Sequence, residues 1–188
     1  YRRTILEEFI IALDSLLLQE YIPSEIIVIV DGKINLNVKI FLDKIIQLEK
    51  IFKVYFIQEN RGLGFALNYG LLKCNNKIVA RFDTDDINLE NRLKIQFDLL
   101  KNKPKISIVG SDVIEFINFD NKIFKKNMKN YKQMIRGFMR RNQLNHPSIM
   151  YRKKDILDVG SYKDIKFFED YELWLRCIKK ELGIYNIN

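Results

Sequence analysis

The apolar positions in the first half of the chain alternate between helical and extended spacing. Ile5, Leu6, Phe9, Ile10, Leu13, Leu16 and Leu17 recur at helical intervals behind Thr4, which with Glu7 makes a T-x-x-E capping box, so the chain opens on a predicted helix. Residues 25–30 are rich in β-branched side chains and stop at Asp31-Gly32, which predicts a buried strand and a turn. A helix over 38–50, a strand over 53–57, a loop at 60–62 and a helix over 64–73 follow, the last with Phe65, Leu67, Leu71 and Leu72 available for packing. Residues 78–83 then read as another buried strand, and the spacing of Leu89, Leu93, Gln96, Phe97 and Leu100 as another helix. Strands alternating with helices predict an α/β fold with parallel pairing through right-handed crossovers.

Past Pro104 the alternation loosens. Residues 106–109 and 113–117 read as strands, 121–126 is ambiguous, and 131–141 reads as a helix. Residues 147–151 predict a strand, followed by a short helix from Lys153, a turn at Gly160 and a helix over 168–180. Without repeats or low-complexity linkers, 188 residues at 47% apolar content predict one domain, 1–188. Its halves would be a ligand-binding 1–103 and a second, acceptor-shaping 104–188. The chain starts at Tyr1 on a helix, where an α/β fold usually starts on a strand, so a missing first strand and truncation at both ends are expected.

Charge and cysteine content narrow the picture only modestly. Net charge is +8, from 32 basic against 24 acidic residues. The densest basic stretch runs through Lys122, Lys125, Lys126, Lys129, Lys132, Arg136, Arg140 and Arg141. Such a stretch could attract phosphates or an anionic lipid surface, whereas the joint richness in Lys, Asn and Ile is also what an adenine- and thymine-rich genome produces. Cys74 and Cys177 lack the spacing of a zinc site or a disulfide framework and read as reduced core thiols. No stretch approaches the ~20 apolar residues of a membrane span, and no signal peptide is expected. A cytoplasmic protein is expected, with a peripheral place at the inner face of the plasma membrane compatible with the charge.

The chemistry concentrates in IVARFDTDD, where an apolar run ends in Asp83, Asp85 and Asp86. In open α/β sheets ligands collect at the carboxyl ends of strands, and mutually repelling carboxylates placed there suit Mg²⁺ or Mn²⁺ together with substrate phosphates. The competing explanation is an acidic turn that caps the following helix. Asp31 ends the first visible strand, where a carboxylate can accept from a nucleobase imide or simply form an Asp-Gly turn. Asn60 and Arg61, in N-R-G-L-G, open a helix whose free backbone N–H groups and guanidinium can receive anionic oxygens. The segment lacks the third glycine of a dinucleotide fingerprint, and no P-loop occurs. Glu169 and Asp170 begin the last long helix, either complementing its dipole or supplying a general base. His146, in NHPSIM, is either a metal or diphosphate contact or a hydrogen-bonded structural residue.

Together SLLLQEYIPSEIIVIVDG, ENRGLGFALNYGLLKCNNKIVARFDTDDI, NHPSIMYRK and FFEDYELWLR resemble the family 2 glycosyltransferases of the GT-A fold, particularly those of bacterial surface-polysaccharide assembly. The resemblance implies a Rossmann-like mixed, mainly parallel sheet flanked by helices. It also implies metal-dependent, inverting transfer of a hexose from a nucleotide-diphosphate donor, UDP-linked in many members, to a hydroxyl of a glycan or lipid-linked acceptor. By position, Asp31, Asn60, Arg61 and Asp83 would contact the nucleotide, Asp85 and Asp86 the metal, and Asp170 with Glu169 the reacting acceptor, with Asp170 the base. Trp174 and Arg176 would support that helix. Two departures accompany the likeness: only Tyr1 stands where members carry an opening strand, and Val30 precedes Asp31 where many carry a second acid. Nucleic acid is not an expected partner. The rival functions are a phosphoryl or nucleotidyl transferase using the same carboxylates with Mg²⁺, and a non-catalytic transferase-like binding module.

Overall fold

The computed structural model describes residues 4–118, 121–126 and 131–187; Tyr1 and Lys129, both singled out by the sequence, lie outside them. The chain forms two compact units, each discontinuous in sequence. The first comprises Tyr1–Asn76, Asp83–Lys94 and Gly160–Glu169, and the second Lys77–Phe82, Ile95–Val159 and Asp170–Asn188.

In the first unit α1 (Leu6–Leu17), β1 (Ile26–Asp31), α2 (Leu36–Leu48), β2 (Phe52–Ile57) and α3 (Leu63–Lys73) follow the alternation that the apolar spacing predicts. α1 buries Phe9, Ala12, Leu13 and Leu16, one face at i, i+3, i+4 and i+7. Phe9 meets Phe41 of α2 edge-on at 5.9 Å, and Val38 and Leu42 complete that contact layer. β1 and β2 pair in parallel from Ile26↔Phe52 to Asp31↔Ile57, so Asp31 emerges at the carboxyl end of its strand. The expected capping box is not formed. Ile5 is the N-cap residue and no side chain caps the helix, because the helix starts one residue beyond the position that would let Thr4 reach its first free N–H groups.

The C-terminal end of α1 fixes the segment behind the acidic turn. Ser15 Oγ accepts the Asn88 N–H at 3.0 Å, Gln19 Nε2 donates to the Leu89 carbonyl at 2.7 Å, and Gln19 Oε1 accepts the Leu93 N–H at 2.9 Å. Ser15, Gln19 and Asn88 are all buried, so these bonds satisfy groups that water does not reach.

The second unit is built on a four-stranded sheet in the order β3 (Ile78–Ala80), β7 (Met150–Arg152), β4 (Ile106–Ser111), β8 (Gly183–Ile187). β4 runs parallel to β8, while β7 lies antiparallel to both β3 and β4. A hairpin of β5 (Val113–Asn118) and β6 (Asn121–Lys126) settles the ambiguous stretch as a strand. α5 (Tyr131–Phe138) and α6 (Lys153–Asp158) supply its helices, together with α4 (Arg92–Asn102) from Ile95 on and α7 (Glu169–Lys179) from Asp170 on. Leu100, Ile108, Val109, Met134, Phe138, Ile149, Ile156, Leu173, Trp174 and Cys177 are all essentially inaccessible and form the core. Burial drives the Cys177 thiol up to about 12, as befits an inert core thiol.

Past α3 the structure revises the predicted elements. The strand expected over 147–151 starts only at Met150, because Pro147 occupies the first turn of a 3₁₀ segment, His146–Ser148, where its missing N–H and fixed φ are harmless. β8 has no counterpart among the predicted elements. β3 ends at Ala80, three residues before Asp83, since its ladder rests on only three residues of β7.

Candidate active site

Asp31 is 6% exposed, and its carboxylate is held by the loop that the sequence reads as a receiver of anions. Oδ1 accepts the Arg61 N–H and Oδ2 the Gly62 N–H, each at 2.8 Å, and the Asp31 carbonyl accepts from Asn60 Nδ2 at 3.1 Å. Two of the N–H groups expected to be free at the head of α3 therefore already hold an anion, one supplied by the chain itself. Gly32 makes this closure feasible: its φ is +87°, and a Cβ there would sit 2.9 Å from the Asn60 nitrogen. The Arg61 guanidinium remains exposed, lying 3.8 Å over the Phe65 ring, which fixes its direction while leaving its donors accessible.

Asp83, Thr84, Asp85 and Asp86 form a turn in which the Asp86 N–H points to the Asp83 carbonyl at 3.4 Å. Asp85 is exposed and Asp83 and Asp86 are half-buried. The helix that follows begins only at Arg92, so Asp85 and Asp86 lie outside its first turn and the capping explanation for them fails. Asp83, Asp85 and Asp86 thus bring three carboxylates within four residues, ahead of a segment locked by Ser15 and Gln19. That donor chemistry fits Mg²⁺ or Mn²⁺. Asp31, Asn60, Arg61, Asp83, Asp85, Asp86 and Glu169 belong to the first unit, and Asp170 to the second.

Residues leading to the acidic pair are anchored on α3. Asn68 Oδ1 accepts from Ser161 Oγ at 2.5 Å and from the Tyr162 N–H at 2.9 Å, while its amide nitrogen donates to the Tyr162 carbonyl. Gly64 lies against the carbonyl of Lys163, where a Cβ would come within 2.5 Å of that oxygen. The second glycine of N-R-G-L-G thus admits a neighbouring backbone.

Glu169 is buried and Asp170 half-buried at the start of α7. Asp170 Oδ1 accepts the Tyr171 N–H at 2.7 Å, and Oδ2 accepts from Asn142 Nδ2 at 2.6 Å. Asn142 carries no sequence signal of its own, being one polar residue after a basic run. His146 is buried edge-on against Trp174 at 6.0 Å, and brings a ring nitrogen within 4.8 Å of an Asp170 carboxylate oxygen. Burial, reinforced by the positive charge of Arg81, lowers the imidazole pKa well below its ordinary value, so the ring is neutral at pH 7. Trp174 is fully buried, and Arg176 is engaged by Glu172 at 2.7 to 2.9 Å and by the Val159 carbonyl.

Residues 4–160 match the model of the family described as glycosyl transferase family 2. The chain is 33% identical over 168 residues to the UDP-Gal:alpha-D-GlcNAc-diphosphoundecaprenol beta-1,3-galactosyltransferase of Escherichia coli, covering 89% of this chain and 61% of that protein. It is 34% identical over 173 residues to the O-antigen biosynthesis glycosyltransferase WbnJ of Escherichia coli, covering 90% and 66%. The chain thus spans less than two thirds of either relative. Among solved structures it is similar to the mannosyltransferase PcManGT from Pyrobaculum calidifontis in complex with GDP-Man and Mn²⁺, with a TM-score of 0.71 at 14% identity, over 97% of this chain and 51% of that one.

Proposed function

The chain belongs to glycosyl transferase family 2 and has the GT-A fold, and on that premise we propose that it moves a hexose from a nucleotide-diphosphate sugar to an acceptor hydroxyl, with inversion at the anomeric carbon. UDP-linked sugars are the proposed donors and a glycan or lipid-linked sugar the acceptor, in keeping with the activity for which the galactosyltransferase relative is named. The observation that carries this reading is the acidic turn at Asp83–Asp86, ahead of rather than within the first turn of α4 and in the same compact unit as Asp31, Asn60 and Arg61.

Asp85 and Asp86 would hold Mg²⁺ or Mn²⁺, which when bound offsets negative charge on the diphosphate. Arg61 offers accessible donors to phosphate oxygens, and Asp31 and Asn60 shape the nucleotide-facing loop, with Asp83 the further nucleotide contact from the same unit. Asp170 is the general base: the acceptor oxygen forms its bond to the anomeric carbon as its proton passes to the Asp170 carboxylate. On the opposite face the bond from that carbon to the diphosphate oxygen breaks, and the nucleoside diphosphate leaves with the electron pair. Single displacement of an α-linked donor gives a β-linked product. Glu169, buried beside the base at the head of α7, supports it.

The test is binding and turnover of a panel of UDP- and GDP-sugars with Mn²⁺ or Mg²⁺. Metal-dependent affinity for a UDP-sugar is expected, falling by more than about tenfold in Asp85→Asn, whereas Asp170→Asn should retain donor affinity and lose about 10²–10⁴-fold in transfer. Binding that ignores both metal and Asp85, or transfer that survives Asp170→Asn, overturns the reading.

A further inference from the structure

Asp170 does not orient itself. Of its two carboxylate oxygens, Oδ1 accepts the N–H of the next residue, a purely local bond, while Oδ2 receives a hydrogen bond from Asn142, 28 residues away in sequence. The Asn142 amide has one acceptor and one donor end, and its acceptor end is already committed. Oδ1 takes the Leu144 N–H at 3.1 Å, an Asx turn that fixes which way the amide faces. The NH₂ group is thereby aimed at Asp170. A second tie holds the same segment to α7: the Tyr171 hydroxyl donates to the Phe138 carbonyl, and the Phe138 and Tyr171 rings stack with centroids 6.4 Å apart. The stretch from Phe138 to Asn142 is therefore pinned to the first turn of α7 at both ends.

We infer that Asn142 is a positioning residue for the transfer reaction, holding the Asp170 carboxylate so that its remaining lone pairs face the acceptor hydroxyl. The inference rests on Asp170 being the base. A carboxylate has about four lone-pair sites, and one bond from Asn142 and one from the Tyr171 N–H leave two open. Asp170 is half-buried, so those sites are reachable. Removing the Asn142 donor frees the carboxylate to turn about its side-chain torsions, and misplacement of a reacting group by about 1 Å can cost 10²-fold in rate.

The alternative is that Asn142 only forms its turn, and one substitution separates the two roles. Asn142→Asp keeps an oxygen for the Leu144 N–H, so the Asx turn survives, but replaces the donor facing Asp170 with an acceptor. Turnover is measured as nucleotide release from a panel of UDP- and GDP-sugars with Mn²⁺ in the presence of glycan and lipid-linked acceptors. Asn142→Asp is expected to melt close to the parent, to keep the donor KM within about twofold and to lose about 10- to 100-fold in kcat. Asn142→Ala should lose kcat similarly, which guards against an aspartate that fails to fold. Adding either change to Asp170→Asn should cost nothing further, because the two residues act as one unit. A kcat within about twofold of the parent in Asn142→Asp overturns the inference while leaving the base assignment intact. Transfer that survives Asp170→Asn, or a parent that turns over no member of the panel, overturns both together.

Discussion

At the scale of single residues, the glycines of N-R-G-L-G illustrate how one spacing serves two chemistries. The sequence presents Asn60-Arg61-Gly62-Leu63-Gly64 as a loop that opens a helix toward anions, and the Arg61 and Gly62 N–H groups do bind an anion, that of Asp31. Which anion they bind was not legible, because the partner lies 30 residues earlier and only the parallel register of β1 and β2 brings it there. Gly64 answers a different demand. Its missing Cβ would press on the Lys163 carbonyl, a backbone atom that cannot swing away, whereas at Gly70 the nearest neighbour is the flexible Ile29 side chain at 3.1 Å. Gly64→Ala is therefore expected to destabilise by about 1–3 kcal/mol, and Gly70→Ala to lie near zero, since helix propensity then favours alanine. For a chain of this size that difference is about 2–4 °C in Tm for each kcal/mol. A thermal melt in which Gly64→Ala matches the parent would show that the Lys163 backbone does not lie against α3.

At the scale of elements, the ends of β1, β2 and α3 meet at one carboxylate. Glu25, immediately before β1, accepts from Lys53 Nζ at 2.8 Å, from the Asn75 N–H at 2.7 Å and side chain at 3.0 Å, and from the Asn76 side chain at 2.8 Å and N–H at 3.2 Å. Burial alone would raise its pKa, but the Lys53, Asn75 and Asn76 donors together outweigh it and bring the value from 4.5 down to about 2. A folded-state pKa below the unfolded one contributes stability above pH 4.5 that disappears as pH falls toward 2. Screened by solvent at the exposed Asn75 and Asn76, the contribution is on the order of 1 kcal/mol. Denaturant melts from pH 7 to pH 2.5 should show the parent losing stability across that window and Glu25→Gln losing markedly less. Identical slopes would mean that Glu25 is as well solvated unfolded as folded.

Elements of the first unit were legible because their burial is one-sided: Phe9, Ala12, Leu13 and Leu16 on α1 declare a helix, and the β-branched run of β1 a strand. Legibility failed where tertiary partners decide. β8 is five residues whose ladder is provided by β4, and the end of β3 is set by how little of β7 faces it. The site shows the same division. Carboxylates announce themselves by clustering at the end of an apolar run or the start of a helix, so Asp83, Asp85, Asp86, Glu169 and Asp170 could be nominated from the sequence, their roles coming from the family resemblance, whereas Asn142 gains meaning only from the bond that crosses to Asp170.

At the scale of the whole molecule, the charge of +8 has a local expression in the second unit. Arg136, Arg140 and Arg141 are exposed, and no ion pair engages them among the described residues, while Met139 between them is 83% exposed. Among the described residues no helix is long and apolar enough to cross a membrane. Unpaired arginines near an anionic leaflet contribute about 1 kcal/mol each, and a protruding thioether can enter the headgroup layer without a charge to desolvate. Co-sedimentation with phosphatidylglycerol vesicles is therefore expected at about 0.1 M salt, where the Debye length is ~10 Å, and should vanish near 1 M, where it is ~3 Å. Replacing the three arginines with glutamine should weaken partitioning by roughly 100-fold, from about 3 kcal/mol in total. If instead the basic excess is a compositional by-product, the triple variant will sediment like the parent, and neither will distinguish anionic from zwitterionic vesicles. The two outcomes separate a surface that recruits the enzyme to a lipid-linked acceptor from one that merely keeps the chain soluble.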